Sequence, residues 1–311
     1  MRDVSPNVPQ PEEETATPEQ HQEDDRRQAI KTARGLVRQA MDHLRQGHLS
    51  LGAVEASVGF VDVITHLKTS TPILNYATPR RNTAWVGSGH INDGLTILSQ
   101  LGRKEVFIFP DLLFPPVFNK TLIKAGLQPA FSLPVWAYAA GQRTYSAPVL
   151  PTSISIQPVS RRQSMRNWWY IRRHNPFEIN ASILDQMQLS QDLQDESNRE
   201  EINLVVRRYN TAIGAARITL QETSAHIATT ALLRDAGDEL GRLLLAYCLQ
   251  YALGTGRDMV FTSSLSEKQG TYAQSLGFVD VGNIVCYAES ATVFKDMKGQ
   301  HGSLAQPVST L

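Results

Sequence analysis

The sequence predicts an α/β protein of the mixed-sheet (α+β) kind, on three observations. Strand-length apolar runs recur along the chain, separated by stretches whose apolar residues follow the helical period. The second half reads in the order helix, β-hairpin, strand, helix, strand, helix, strand, which builds one mixed sheet with helices on its faces. The chain has 311 residues, 41% of them hydrophobic and 19% charged, enough for two such units.

Residues 1–25 are rich in Pro, Glu, Gln and Thr and nearly free of large apolar side chains, so a disordered tail is expected. From Arg26 to Gln46, Ile30, Ala33, Leu36, Val37, Ala40, Met41 and Leu44 recur at helical spacing, and Gly47 ends the run. Residues 49–147 alternate short pieces: strands at Val58–Leu67, Arg81–Val86, Glu105–Pro110 and Pro134–Ala140, and helices at Ile91–Leu101 and Pro115–Lys124. The Pro-, Ser- and Thr-rich stretch 144–158 marks a boundary, so the units expected are 26–147 and 159–295, a linker at 148–158 and a flexible tail at 296–311.

In the second unit Arg161–Arg173 is a helix carrying Trp168, Trp169 and Tyr170, and Asp185–Asn198 is a polar surface helix. Glu201–Tyr209 and Ala212–Leu220 form a hairpin about Asn210-Thr211. Ala225–Leu233 is the next strand, Glu239–Leu253 an apolar helix stopped at Gly254, and Asp258–Thr262 a strand. Ser266–Ser275 is a helix stopped at Gly277, and Phe278–Ala288 a closing strand pair.

Thirty Lys and Arg balance thirty Asp and Glu. No global field draws the chain to nucleic acid or to anionic lipid. No apolar run reaches the roughly 20 residues of a membrane helix and the N-terminus has no signal core, so a cytoplasmic protein is expected. Cys248 and Cys286 lie in apolar runs and read as buried thiols. No metal-ligand spacing stands out.

The most informative stretch is Gly237-Asp238-Glu239-Leu240-Gly241-Arg242, between a strand and an apolar helix. The first N–H groups of a helix have no partner within it and carry the positive end of its dipole, so this junction is suited to an anion such as phosphate. A fainter pattern repeats across the chain. Phe118 to Leu127 is a helix, a Gly and an apolar residue before a strand with Trp136 and Tyr138, and Tyr272 to Phe278 does the same before a strand with Cys286 and Tyr287.

Taken together, residues from about 152 to 290 resemble the GNAT superfamily of acetyl-CoA-dependent N-acyltransferases. Ile213-Gly214-Ala215-Ala216-Arg217-Ile218 looks like its third strand and Ala228 to Leu233 like its fourth. Gly237 to Leu245 looks like its pyrophosphate loop and helix, and Ser275-Leu276-Gly277-Phe278 like its C-terminal signature. Residues 28–147 look like a second, degenerate copy, with an unrelated α/β domain as the rival reading. There Gly87-Ser88-Gly89-His90 has glycines but no strand–loop–helix context of the family's length.

The resemblance implies an N-acyltransferase that takes acetyl-CoA as co-substrate and a small-molecule or peptide amine as acceptor, by direct attack. Leu232, Leu233, Arg234, Gly237, Leu240, Gly241, Arg242 and Ser266 would hold the cofactor. Tyr272 would protonate the leaving thiolate, although the family's tyrosine position falls on Ala273. Glu222 or His226 would act as base. The loop departs from the family pattern at Ala236 and Glu239, a carboxylate that repels a pyrophosphate. A silent protein that keeps the fold and binds acyl-CoA or a protein partner is the alternative. A homodimer is a further expectation.

Overall fold

The computed structural model describes residues 18–83, 85–141, 148–159, 162–174, 201–233, 237–263, 267–290 and 292–294. In chain order the elements are α1 (Pro18–Ser50), β1 (Ala53–Val58), β2 (Val61–His66), β3 (Tyr76–Pro79), α2 (Ser88–Gln100), β4 (Val106–Pro110), α3 (Val117–Lys124) and β5 (Gln128–Ala139). They continue with β6 (Ile154–Pro158), α4 (Arg162–His174), β7 (Glu201–Arg208), β8 (Thr211–Leu220), β9 (Ser224–Leu232), α5 (Asp238–Leu253), β10 (Met259–Ser263), α6 (Glu267–Ser275) and β11 (Val279–Ala288).

Among the described residues all the strands join one eleven-stranded sheet, in the order β1-β2-β3-β4-β11-β5-β10-β9-β8-β7-β6. The mixed α/β architecture is therefore as expected, but the sheet is continuous rather than divided between two units. The last strand of each half lies on the far side of its neighbour. β11 pairs antiparallel with both β4 and β5, and β5 pairs antiparallel with both β11 and β10. From either outer region toward the centre the sheet meets antiparallel pairs, two on one side and three on the other, then a parallel pair, and then the exchanged strands. β3–β4 is the parallel pair of one half and β9–β10 that of the other.

One face of the sheet is covered by α1, through Leu36, Val37 and Ala40, and by α4, through Trp168 and Ile171. The opposite face carries α2 and α3 over one half, with Ile91, Leu95, Phe118 and Leu122 buried. α5 and α6 cover the other half, with Leu240, Leu244, Cys248 and Ala273 buried. Both thiols are free and buried, as expected, and burial raises their pKa well above the ordinary thiol value. They are packing groups rather than nucleophiles.

Several expectations are corrected. α1 begins at Pro18, within the stretch read as disordered, because propagating a nucleated helix costs little even where no apolar face anchors it. An i,i+4 pair, Arg27 to Glu23 at 3.1 Å, lies on that polar extension. The run Val58–Leu67 holds the strand β2, and an unexpected strand before it, β1, pairs with it through a turn at Gly59, whose φ is +53°. The strand expected at 81–86 lies earlier, at Tyr76–Pro79. Ile154–Pro158, read as linker, is an edge strand on β7. The closing strand pair is one bulged strand, β11. In the N-terminal half β3 is followed by α2 with Gly87 at its N-cap, but the connection, residues 80–87, is longer than the one before α5, residues 233–237. The helix expected at 185–198 and the tails 1–17 and 296–311 lie outside the described residues.

Candidate functional site

The sheet opens between β9 and β10. β9 pairs with β8 from Ala225 to Leu232, but with β10 only from Ser224 to Ile227. A register shift beside Ala228, between Arg217 and Ile218 on β8, bends β9 at the point of parting. Thr262 closes the apex, its hydroxyl donating to the Ile227 carbonyl at 3.1 Å. Beyond the apex one edge of β9 runs along a fork. Peptide groups alternate between the two neighbours of a strand. The Leu233 N–H donates to Ile213 O on β8 at 2.9 Å, so the peptide groups of Leu232 and Thr230 face the fork. The Leu233 N–H is thus already taken by β8. Gln269 of α6 reaches across the opening, its amide 2.8 Å from Thr230 Oγ1.

α5 starts at the mouth of the fork. Gly237, its N-cap, has φ +84° and ψ 151°, and none of the described residues lies within 4 Å of where its Cβ would stand. The first N–H groups of α5 lack intrahelical acceptors, and Gly237 makes no side-chain cap. Leu240 is 4% exposed, so its side chain belongs to the core and only its backbone is available. Glu239 and Arg242 are exposed. Glu239 in the first turn complements the helix dipole, which explains a carboxylate at that position but adds repulsion toward an anion. Arg234, Ala236 and Ser266 lie outside the described residues.

Leu232, Gly241 and Tyr272 come together. A Cβ on Gly241 would stand 3.1 Å from Tyr272 Cε2 and 3.7 Å from Leu232 Cδ1. Ala273 is fully buried under α6, so the helix turns Tyr272, one position earlier, toward α5. Among the described residues the Tyr272 hydroxyl has no hydrogen-bond partner.

The other candidates stand elsewhere. Glu222 is exposed in the β8–β9 turn, at the opposite end of β9 from the fork. At the rise of an extended strand it is roughly 20 Å from Ala228. His226 is buried on the α1 face, its ring stacked on Phe261 at 4.3 Å and its Nε2 3.3 Å from Ser263 Oγ. Burial first, then the neighbouring His43, holds its pKa well below the ordinary imidazole value. Trp168 is fully buried and donates its indole N–H to Ala216 O at 2.9 Å, so it is packing rather than cleft wall. Arg217, which sequence reasoning missed, lies 4.7 Å over the Trp168 ring and is ion-paired to Glu201 at 2.7 Å. Its only signal was a cation in the middle of a strand, where burial demands a partner.

Among the described residues no three His, Cys, Asp or Glu side chains gather as a metal site, and no helix is long and apolar enough to cross a membrane. No family model and no curated protein matches the chain. Solved structures do. A GCN5-related N-acetyltransferase from Kribbella flavida superposes with TM-score 0.64 at 15% identity, over 82% of this chain and 94% of that one. A second GCN5-related N-acetyltransferase, from Sphaerobacter thermophilus, gives 0.56 at 12% identity over 74% and 76%. A tandem GNAT protein from the clavulanic acid biosynthesis pathway gives 0.50 at 12% over 74% and 78%. The fold is that of the GCN5-related N-acetyltransferases.

Proposed function

We propose that this protein is an N-acyltransferase that moves an acetyl group from acetyl-CoA to a primary amine. The observation that carries the reading is the fork between β9 and β10 with the start of α5 at its mouth. An open strand edge offers alternating donors and acceptors to an amide-bearing chain, and an uncapped helix start offers donors to a pyrophosphate. The space that the described residues leave open at Gly237 supports that fit.

In this reading the Thr230 and Leu232 peptide groups pair with the pantetheine amides once Gln269 has swung aside. Gly237, Gly241 and the first N–H groups of α5 take the pyrophosphate, with Arg242 adding a cation at the rim. The neutral amine attacks the thioester carbonyl, the C–S bond breaks, and the Tyr272 hydroxyl gives its proton to the leaving thiolate. The proton lost by the amine leaves through water, because Glu222 lies at the far end of β9 and burial holds the pKa of His226, one residue from the apex, well below the ordinary imidazole value. The N-terminal half (26–147) is an altered second copy of the C-terminal one (159–295). The like order of strands on either side of the sheet supports this.

Glu239 at the helix start and Gln269 across the fork favour a second reading, a silent protein that has kept the fold. Calorimetric titration with acetyl-CoA tests the first step. Binding is expected, and Glu239→Gln is expected to tighten it about three- to tenfold by removing one like charge. Absence of binding in both proteins would overturn the acetyl-CoA reading. A thiol-release assay over a panel of amines tests the second step. Tyr272→Phe is expected to lower kcat about a hundredfold with little change in acetyl-CoA affinity. Binding without turnover on any amine would leave the silent reading in place.

A further inference from the structure

The other parallel pair forms a second fork, and a cavity lies in it. β3 and β4 meet in register only at Ala77 and Phe107, while β3 stays paired with β2 and β4 with β11. Beyond that point Thr78 and Pro79 on one side and Pro110 on the other diverge, and α1 roofs the gap. The space inside it is about 70 Å³ for the centres of water-sized molecules, and it opens to solvent at its mouth. It lies past the carboxyl ends of two parallel strands, where open α/β sheets gather their ligands.

Its floor is apolar: Met41, Tyr76, Leu113 and Phe114. Its rim is basic, with Arg38, Arg45, Arg80 and Arg81. The carboxylates nearby are each matched by one guanidinium. Arg80 lies 3.3 Å from Asp62, Arg81 lies 2.8 Å from Asp42, and Arg45 grips Glu55 through both carboxylate oxygens. Arg38 is exposed on α1 and has no ion-pair partner among the described residues. One positive charge is thus left over at the mouth of an apolar hollow. Neutral apolar molecules would leave that charge unused, and an amine would meet it as repulsion.

We infer that this cavity is a binding site for a small amphipathic carboxylate, its hydrocarbon part on Phe114, Leu113 and Met41 and its head group on Arg38 and Arg80. It is separate from the β9–β10 fork and does not depend on the function proposed for that fork.

Calorimetric titration of the full chain with octanoate, octanol and octylamine tests it. Octanoate is expected to bind, octanol about tenfold more weakly for want of a charge-assisted hydrogen bond, and octylamine not at all. Arg38→Glu, an exposed substitution that leaves the core untouched, is expected to cost octanoate at least about tenfold. Saturating acetyl-CoA is expected to leave octanoate binding unchanged. Failure of octanoate to bind would overturn the inference. So would octanol binding as tightly as octanoate, Arg38→Glu leaving affinity intact, or competition with acetyl-CoA.

Discussion

Gly237 holds φ +84° with ψ 151°, a backbone region open in practice to glycine alone. Among the described residues nothing stands near its Cβ position, so the expected effect of Gly237→Ala is a backbone one. A loss of about 1 to 3 kcal/mol is expected in urea denaturation; an unchanged midpoint would mean that the junction relaxes. Gly241 poses the opposite problem, because its backbone is helical and its neighbour is close. Alanine there gains about 1 kcal/mol of helix propensity but drives a methyl toward the Tyr272 ring. Gly241→Ala is expected to be near neutral alone and stabilising in a Tyr272→Ala background. The coupling should be about 0.5 to 3 kcal/mol in a double-mutant cycle. Strict additivity would show that ring and helix do not touch. At this scale the sequence was informative about identity and poor about direction. It singled out Gly237, Gly241 and Tyr272, but which way Tyr272 points depends on Ala273 being the residue that fits the core.

α1 is the element that ties the halves together. It lines the cavity with Arg38 and Asp42, and with His43 it reaches β8 and β9. The imidazole stands 2.8 Å from Ser224 Oγ and 2.9 Å from Thr219 Oγ1. Burial holds the His43 pKa down to about 4, and that of His48 likewise. Both rings are therefore neutral in the fold, whereas an unfolded histidine titrates near about 6.5. Between those values the unfolded chain binds protons that the folded chain does not. Stability is then full above about pH 6.5 and falls as the pH drops toward 4, by about 1.4 kcal/mol per pH unit for each such histidine. Urea titrations at pH 7.5, 6 and 5 should show that slope, and His43→Gln should remove one proton's share of it. A flat profile would contradict the burial. The sequence made α1 legible through its apolar stripe, and the C-terminal elements through alternation and glycine stops. It showed only the second half of β5, at Pro134–Ala140, because Pro129 argues against a strand running through the first half. Both prolines sit beside register shifts in the pairing with β11, where a missing N–H is tolerated.

Over the whole molecule, the order β4-β11-β5-β10 means that neither half can complete its sheet alone. The linker composition suggested two separable units, but pairing between distant strands leaves no local signal in a sequence. Chains covering 1–147 or 148–311 are expected to be unfolded or aggregated when expressed singly and to recover structure when co-expressed. The intact chain should unfold in one cooperative transition, by circular dichroism and by tryptophan fluorescence alike. A folded, monomeric 148–311 fragment would contradict the exchange.

The exchanged strand also sets a timetable. β4 ends at Pro110, and its inner partner β11 begins only at Val279. At the usual pace of synthesis the ribosome takes roughly 10 to 30 seconds to cover that distance. For all of that interval β4, an apolar strand reading Val-Phe-Ile-Phe-Pro, presents an unsatisfied hydrogen-bonding edge to whatever is nearby. The nascent chain must be shielded through that wait, and its birth is the stage at which a crowded cell can most easily lose it.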